Sequence, residues 1–318
     1  MPLLSSPMRA LAQMVFLALL GALLGTPSLL HAATRQFSVT APDGVTLAVQ
    51  ESGNPAGPAI VFIHGLLGSH MNWDAQRASL ALQGYRLISY DLRGHGRSGQ
   101  PRAANAYSEG RRWGDDLAAV IAATGARRPV LVGWSLGGVV ISNYLAAHGD
   151  RAIGGAVYVD GVIELGHPRQ IKPHPAVYRD LNASVLATRL DAQRAFLALC
   201  FATRPGQPTF ERLLGAAAMA SWDMQAAVFK LDAPLSGLAK ARVPVLLLYG
   251  ARDALVDANA AMARARQVNP RATQLVYAAS GHAPFAEEPE RFSRDLAAFV
   301  AAGVTGAPND QIAGSAAE

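Results

Sequence analysis

Apolar residues in this chain fall into short runs that alternate with longer stretches of helical spacing. The runs Ala59–Ile63 and Pro129–Trp134 are typical of buried strands, and residues 138–147 after the second run have helical spacing. Alternating residues on either side of Pro42-Asp43-Gly44 predict an antiparallel hairpin near the beginning. Strand runs that alternate with helices indicate the α/β class, with a mostly parallel sheet flanked by helices.

The pattern changes between residues 161 and 238, where helical segments follow one another without strand patterns between them. Prolines interrupt this stretch at Pro168, Pro173, Pro175, Pro205, Pro208 and Pro234. The alternation of strand and helix resumes at Val243. We therefore interpret residues 34–160 and 239–302 as an α/β core, with residues 161–238 as an inserted helical cap. The tail 303–318 is rich in Gly, Ala and polar residues, and we expect it to be disordered.

The first residues have the organisation of an export signal. Arg9 precedes the apolar run 10–24, and small residues follow at Ala32-Ala33. We interpret residues 1–33 as a cleaved signal peptide, which predicts a periplasmic or secreted protein. No charged residue stands between Arg9 and Arg35, and this stretch is long enough to cross a bilayer. An uncleaved membrane anchor through residues 10–30 is therefore the alternative.

The composition is that of a globular protein with a large core. Of 318 residues, 51% are apolar and 16% are charged, and the net charge is +5. Basic residues are scattered among acidic ones, which argues against a nucleic-acid partner. The single cysteine, Cys200, cannot form an intramolecular disulfide, and we expect a buried and inert thiol.

A G-x-S-x-G motif stands between a strand pattern and a helix pattern, at Gly133-Trp134-Ser135-Leu136-Gly137. A tight strand-to-helix turn needs small flanking residues, because the two backbones approach each other closely. The turn exposes the Ser135 hydroxyl at the positive end of a helix. We predict that Ser135 is a nucleophile.

A serine nucleophile needs a base, and the base needs an orienting acid. His282 follows the short strand pattern 274–277, and Asp253 follows the buried-strand pattern that begins at Val243. Active sites of open α/β sheets lie beyond the carboxyl ends of the strands, and both residues meet that condition. We predict a Ser135–His282–Asp253 triad. Asp160, which follows an earlier strand pattern, and Asp257 are the alternative acids.

These motifs together resemble the α/β-hydrolase family over about residues 37–302. The resemblance includes the segments Phe62–Ser69, Asp91–Ser98 and Ser280–Phe285. It implies a mostly parallel eight-stranded sheet flanked by helices, with a helical cap inserted after the strand that ends near Asp160. The fold is better specified by these motifs than the substrate is.

The developing oxyanion of acyl transfer needs two backbone donors. We expect one to be the amide of Leu136, directly after the nucleophile. We expect the other to be the amide of Leu66, in the loop after the first buried strand, with Leu67 as the alternative. His64 and His95 flank these motifs, and we predict structural roles for both.

A serine at the turn excludes the aspartate-dependent relatives of this fold. The resemblance implies a carboxylic ester hydrolase that acts on a small molecule through an acyl-enzyme, with no cofactor and no metal. A perhydrolase (cofactor-free haloperoxidase), a lactonase and a carbon–carbon bond hydrolase are the alternatives, and a ligand-binding protein is the non-enzymatic one. Trp134, Trp73 and Trp222 are candidates for substrate binding, as are Phe196, Phe201, Phe229 and Met224.

Overall fold

The computed structural model describes residues 34–165, 170–232 and 234–305. The predicted signal peptide lies outside this range, and so do residues 306–318 of the predicted tail. Residues 303–305 belong to the last described helix, so the prediction of a disordered tail from residue 303 is wrong at its beginning. No helix in the described residues is both long and apolar enough to span a membrane.

Eight strands of the described chain form one sheet in the order β1-β2-β4-β3-β5-β6-β7-β8. The first hairpin is antiparallel and β2 pairs antiparallel with β4, while all later pairs are parallel. The strands are β1 Arg35–Thr40, β2 Thr46–Gly53, β3 Ala59–Ile63, β4 Arg86–Tyr90, β5 Val130–Trp134, β6 Gly155–Val159, β7 Val245–Gly250 and β8 Thr273–Tyr277. Strands β3, β5, β6 and β7 are buried along their whole length, as expected of parallel strands covered on both faces.

The helices of the core form two groups whose members contact one another. One group contains α3 (Gly110–Thr124), α4 (Leu136–His148), α9 (Ser236–Lys240) and α10 (Ala258–Val268). The other contains α1 (Asp74–Ala78), α11 (Pro284–Glu287) and α12 (Pro289–Thr305). The short helix α2 (Asn105–Ser108) precedes α3.

The region from His70 to Leu82 forms three short helical pieces, although the apolar spacing from Trp73 to Leu82 predicts a single helix. The 3₁₀ turns His70–Trp73 and Leu80–Leu82 flank α1, and Ser79 interrupts them with an extended backbone at ψ 130°. Helical spacing of apolar residues survives across such a break, so the sequence pattern could not reveal it.

In the described residues of the connection from β6 to β7, helices follow one another with no strand between them. They are α5 (Pro175–Asp180), α6 (Leu186–Leu199), α7 (Gln207–Ala218) and α8 (Trp222–Ala227), followed by a 3₁₀ turn at Val228–Lys230 and by α9. We call residues 161–238 the β6–β7 segment. Helices α6 and α7 contact each other, and α5 contacts α6.

Candidate active site

The turn between β5 and α4 has the geometry that the G-x-S-x-G motif predicted. Ser135 has φ 53° and ψ −113°, which is a strained conformation for a residue with a Cβ. Backbone hydrogen bonds hold it: the Ser135 amide donates to the Val159 carbonyl at 3.0 Å, and the Ser135 carbonyl accepts from Val162 at 3.1 Å. The turn is therefore tied to the neighbouring strand β6.

Glycines are required where β5 and α4 approach each other. A Cβ on Gly133 would lie 2.5 Å from the Gly137 carbonyl oxygen. A Cβ on Gly137 would collide with the Ile63 carbonyl oxygen of β3. Only glycine fits at either position, so the motif is explained by close backbone packing as well as by chemistry.

His282 and Asp253 form a buried hydrogen-bonded pair. The His282 Nδ1 lies 2.7 Å from Asp253 Oδ2, and both side chains are 1% exposed. Because an ionised carboxylate only accepts, Nδ1 carries the proton and Nε2 is left as the basic nitrogen. The Asp253 Oδ1 accepts from the amides of Leu255 at 2.7 Å and Val256 at 3.0 Å.

These contacts determine the ionisation of Asp253. Burial acts to raise its pKa, but the charge and hydrogen bond of His282, together with the amides of Val256 and Leu255, outweigh burial and lower the pKa. Asp253 is therefore ionised and can orient the imidazole.

The two alternative acids have different partners. Asp160 Oδ1 accepts from the Gly250 amide at 2.9 Å, and Asp257 Oδ1 accepts from the Ala260 amide at 2.9 Å as the N-cap of α10. Neither forms a hydrogen bond with His282 in the described part of the chain. The structure thus brings Asp253 to His282, as the preferred sequence interpretation expected.

Asp160, Asp253 and His282 offer ligand atoms within 4.8 Å of one another, a spacing that a metal ion could also use. However, Asp253 Oδ2 and His282 Nδ1 already bind each other, and Asp253 Oδ1 accepts two amides. Of the carboxyl oxygens in this group, only Asp160 Oδ2 lacks a hydrogen-bond partner among the described residues. These three side chains are therefore better suited to sharing protons with one another than to binding a cation.

Two residues that line the same cavity as Ser135 have backbone amides with no acceptor among the described residues. They are Leu66 and Leu136. The amide of Leu67 instead donates to His95 Nε2 at 3.2 Å. Of the two candidates in this loop, Leu66 is therefore the one with a free donor.

The cavity beside Ser135 has a volume of about 260 Å³ and an apolar lining. Leu66 and Leu136 come from the core and Leu255 and Val256 from the loop after β7, while the β6–β7 segment supplies most of the rest. The lining residues are Leu66, Ser135, Leu136, Val162, Leu165, Ile171, Tyr178, Phe196, Val228, Phe229, Leu255, Val256 and His282. Tyr178 donates its hydroxyl to the Lys172 carbonyl at 3.3 Å, so its polar end is already paired.

The three candidate tryptophans do not line this cavity. Trp73 is fully buried among Phe62, Phe285 and Phe292, with its ring centroid 4.5 Å from that of Phe285. Trp222 is 43% exposed. Its ring stacks under the Arg189 guanidinium at 4.0 Å.

Trp134 supports the base rather than the cavity wall. Its indole nitrogen donates to the His282 carbonyl at 2.6 Å, and its ring centroid lies 5.7 Å from the His282 ring. Of the other candidates, Phe196 and Phe229 do line the cavity, whereas Phe201 and Met224 do not.

A family model described as the alpha/beta hydrolase fold matches residues 58–289. The chain belongs to the α/β-hydrolase family. The predicted fold class, with its eight-stranded and mostly parallel sheet, is confirmed.

Individual relatives of this α/β-hydrolase are esterases and peroxidase-like enzymes. The bifunctional esterase/perhydrolase of Acinetobacter calcoaceticus is 28% identical over 275 residues, which cover 82% of this chain and 98% of that protein. The non-heme chloroperoxidase of Streptomyces lividans is 28% identical over 276 residues, covering 83% and 99%. A solved structure from Burkholderia cenocepacia, assigned as an aryl esterase, is 62% identical with a TM-score of 0.84, covering 85% of this chain and all (100%) of that one. The predicted esterase/perhydrolase-like branch is confirmed.

The β6–β7 segment of this α/β-hydrolase also holds the loop that carries Asp253. Ile171 forms a β-bridge with Val256, and the Lys172 amide donates to the Leu255 carbonyl at 2.8 Å. The Lys172 ammonium donates to the Asp253 carbonyl at 2.6 Å. These contacts could not be predicted from the sequence pattern, because residues far apart in the chain make them.

Two buried histidines hold the loop that carries Leu66. His64 Nε2 accepts from the Leu92 amide at 2.9 Å, while His64 Nδ1 donates to the Gly65 carbonyl at 2.8 Å. His95 Nε2 accepts from Leu67, and its Nδ1 donates to the Arg93 carbonyl at 3.0 Å. Each ring needs one protonated and one free nitrogen, so both must be neutral.

Burial lowers the pKa of His64 to about 4 and that of His95 to about 3, from an ordinary value of 6.5. Both histidines thus bind protons more weakly in the folded chain than in the unfolded one. Their contribution to stability is complete above pH 6.5 and is lost as the pH falls toward the folded-state values.

We expect acid to destabilise the wild-type protein by about 1.4 kcal/mol per pH unit for each of these histidines below pH 6.5. His95→Gln keeps an acceptor for the Leu67 amide but cannot take up a proton. Its free energy of unfolding should therefore fall less steeply with decreasing pH, by about that amount per pH unit. Urea unfolding at several pH values measures both slopes. Above pH 7 the two curves should run parallel; parallel curves down to pH 5 would contradict a buried neutral His95.

Proposed function

We propose that this protein hydrolyses small, uncharged carboxylic esters through an acyl-enzyme on Ser135. One arrangement supports this most strongly: Ser135, the His282–Asp253 pair and two free backbone amides meet at a single apolar cavity. The esterase relatives are consistent with the same chemistry.

In the acylation step, the Ser135 hydroxyl oxygen attacks the ester carbonyl carbon while His282 Nε2 takes the hydroxyl proton. The carbonyl oxygen becomes an anion that the amides of Leu66 and Leu136 can bind. The intermediate then expels the alcohol, which receives the proton from His282. Asp253 holds the imidazole in the tautomer that this sequence requires and stabilises its charged form.

In the deacylation step, a water molecule attacks the acyl carbon and gives a proton to His282. The bond to Ser135 breaks, Ser135 regains its proton from His282 and the free acid leaves. Hydrogen peroxide could attack the same acyl-enzyme and release a peracid. The perhydrolase relative supports this as the second candidate function.

The cavity indicates what kind of ester fits. Among the described residues, its lining contains no ionisable side chain apart from His282 and Tyr178, and the Tyr178 hydroxyl is paired. A charged substrate group would lose its hydration there without compensation. A volume of about 260 Å³ is below the usual range for drug-sized ligands, which favours a short aliphatic chain or a single aromatic ring. We propose that the β6–β7 segment acts as the cap that sets this size.

The first prediction concerns the three triad residues. Ser135→Ala, His282→Ala and Asp253→Asn should each lower kcat for a nitrophenyl ester by about 10⁴-fold, and double variants should fall little further. Asp257→Asn is the matched control, because it makes the same chemical change at a helix cap and should retain activity. Near-normal turnover by Ser135→Ala would refute the proposed function.

A second prediction concerns the cavity wall. Phe196 is 6% exposed and lines the cavity, so Phe196→Ala should enlarge it. The ratio of kcat/KM for long over short acyl chains should rise by about 10-fold or more, as expected for one aromatic contact. The ratio of peracid to acid formed with hydrogen peroxide present should be measured on the same variant.

Trp222→Ala is the control for the cavity, because Trp222 stacks on Arg189 outside the lining. Its selectivity should equal that of the wild type. If Phe196→Ala changed kcat/KM by the same factor for every acyl chain length, the cavity wall would not determine acyl size.

We further propose that residues 1–33 direct export and are removed. The basis is the order of Arg9, the apolar run 10–24 and the small residues at Ala32-Ala33. Mass spectrometry of protein produced in a Gram-negative host should find a mature N-terminus near Ala33 or Thr34. An intact Met1 in a carbonate-resistant membrane fraction would instead support the anchor.

A further inference from the structure

A second carboxylic acid lies beside the triad without a role in the steps above. Asp160 follows β6, is completely buried (0% exposed) and has φ 43°. One of its carboxyl oxygens lies within 4.8 Å of the ligand atoms of both Asp253 and His282. The carboxyl of Asp160 is within hydrogen-bonding reach of that of Asp253.

The hydrogen bonds around the two carboxyls are unequal. Asp253 accepts three: one from His282 and two from the backbone amides of Leu255 and Val256. Asp160 accepts one, from the Gly250 amide to Oδ1. Its Oδ2 is buried, and no donor in the described part of the chain points at it. If the two acids share one proton, Asp253 carries the negative charge, because it accepts more hydrogen bonds than Asp160. The proton then stays on Asp160 Oδ2.

The electrostatic surroundings agree with this assignment. Burial raises the pKa of Asp160 well above its ordinary value, and the negative charge of Asp253 raises it further. The other titratable groups that interact with Asp160 are acidic or neutral apart from the triad base. They are Glu287, Tyr249 and Cys200, together with His282, which is hydrogen-bonded to Asp253. No ion pair in the described residues offers Asp160 a cation.

We propose that Asp160 is a positioning residue for the triad: its protonated carboxyl donates a hydrogen bond to the Asp253 carboxylate. This inference rests on the proposed function. The bond holds the Asp253 side chain in place together with the loop amides. It also spreads part of the Asp253 charge, so that Asp253 holds the imidazolium form of His282 less tightly. The acid limb of the pH–rate profile should therefore lie lower than it would without Asp160.

A simpler explanation of Asp160 is its backbone conformation. Aspartate and asparagine tolerate positive φ better than other residues with a Cβ, so Asp160 could serve only the turn. Glycine tolerates the same φ without strain. Asp160→Gly therefore keeps the turn and removes the donor, whereas Asp160→Asn keeps both, since its amide can donate to Asp253 and accept from Gly250.

The test measures kcat/KM against pH for these two variants, with Asp257→Asn as the matched control. Asp160→Asn should stay within about threefold of the wild type, with an unshifted acid limb. Asp160→Gly should lose about 10-fold in kcat, near the lower end of what a hydrogen bond to a charged group contributes. Its acid limb should move upward by about half a pH unit. Infrared difference spectra of wild type against Asp160→Asn at pH 7 should contain the C=O band of a protonated carboxyl.

Three results would overturn the proposal. Inactivity of a folded Asp160→Asn, or an absent protonated-carboxyl band, would mean that Asp160 is ionised. If Asp160→Gly equalled the wild type in rate and pH profile, the only remaining role of Asp160 would be the backbone conformation of the turn. Activity that a chelator removes and a divalent cation restores would make these groups metal ligands. In each case Ser135→Ala would still be inactive, so failure of this proposal is distinguishable from failure of the proposed function.

Discussion

The left-handed backbone at Ser135 is the constraint on which the site depends. Such a conformation costs about 1–3 kcal/mol and persists only where its surroundings enforce it. Here Val159 of β6 accepts from the Ser135 amide, and the Val162 amide just beyond β6 donates to the Ser135 carbonyl. Gly133 and Gly137 let β5 and α4 close on the turn. The same geometry leaves the amide of Leu136, which lines the cavity, without an acceptor among the described residues. The strained serine and the unpaired amide next to it are therefore products of one turn.

Around this turn, buried polar groups are arranged so that each has a fixed protonation state. His64 and His95 stay neutral because their free nitrogens accept backbone amides. Asp253 stays ionised because it accepts three hydrogen bonds. A fixed protonation state fixes the geometry, because a proton on an accepting atom would replace a hydrogen bond with a repulsive contact. Such preorganisation allows backbone amides to stabilise charge in the transition state without reorganising.

The chemistry of the site was predictable from sequence where it depends on local motifs. Ser135 stands in a strand–turn–helix pattern, and Asp253 and His282 each follow a strand, so their convergence at one sheet edge could be foreseen. The choice of Leu66 over Leu67 could not, because it depends on His95, which lies 28 residues away in the chain. The contact of Lys172 with the Asp253 loop was hidden for the same reason.

Aromatic residues were the least predictable part of the site. Sequence identifies Trp73 and Trp222 as large apolar side chains but does not indicate their neighbours. Trp73 fills the core beside Phe285, and Trp222 covers Arg189 at the surface, whereas smaller residues such as Val228 line the cavity. A cavity wall is formed by the packing of several helices, and no single helix pattern contains that information.

The most direct test of the account is to trap the covalent intermediate. The enzyme should be acid-quenched within milliseconds of mixing with a nitrophenyl ester, digested and examined by mass spectrometry. The account predicts one added acyl group on the peptide that contains Ser135, absent from Ser135→Ala, and faster to appear than the free acid. An acyl group on another residue, or steady turnover with no acylated peptide, would contradict it.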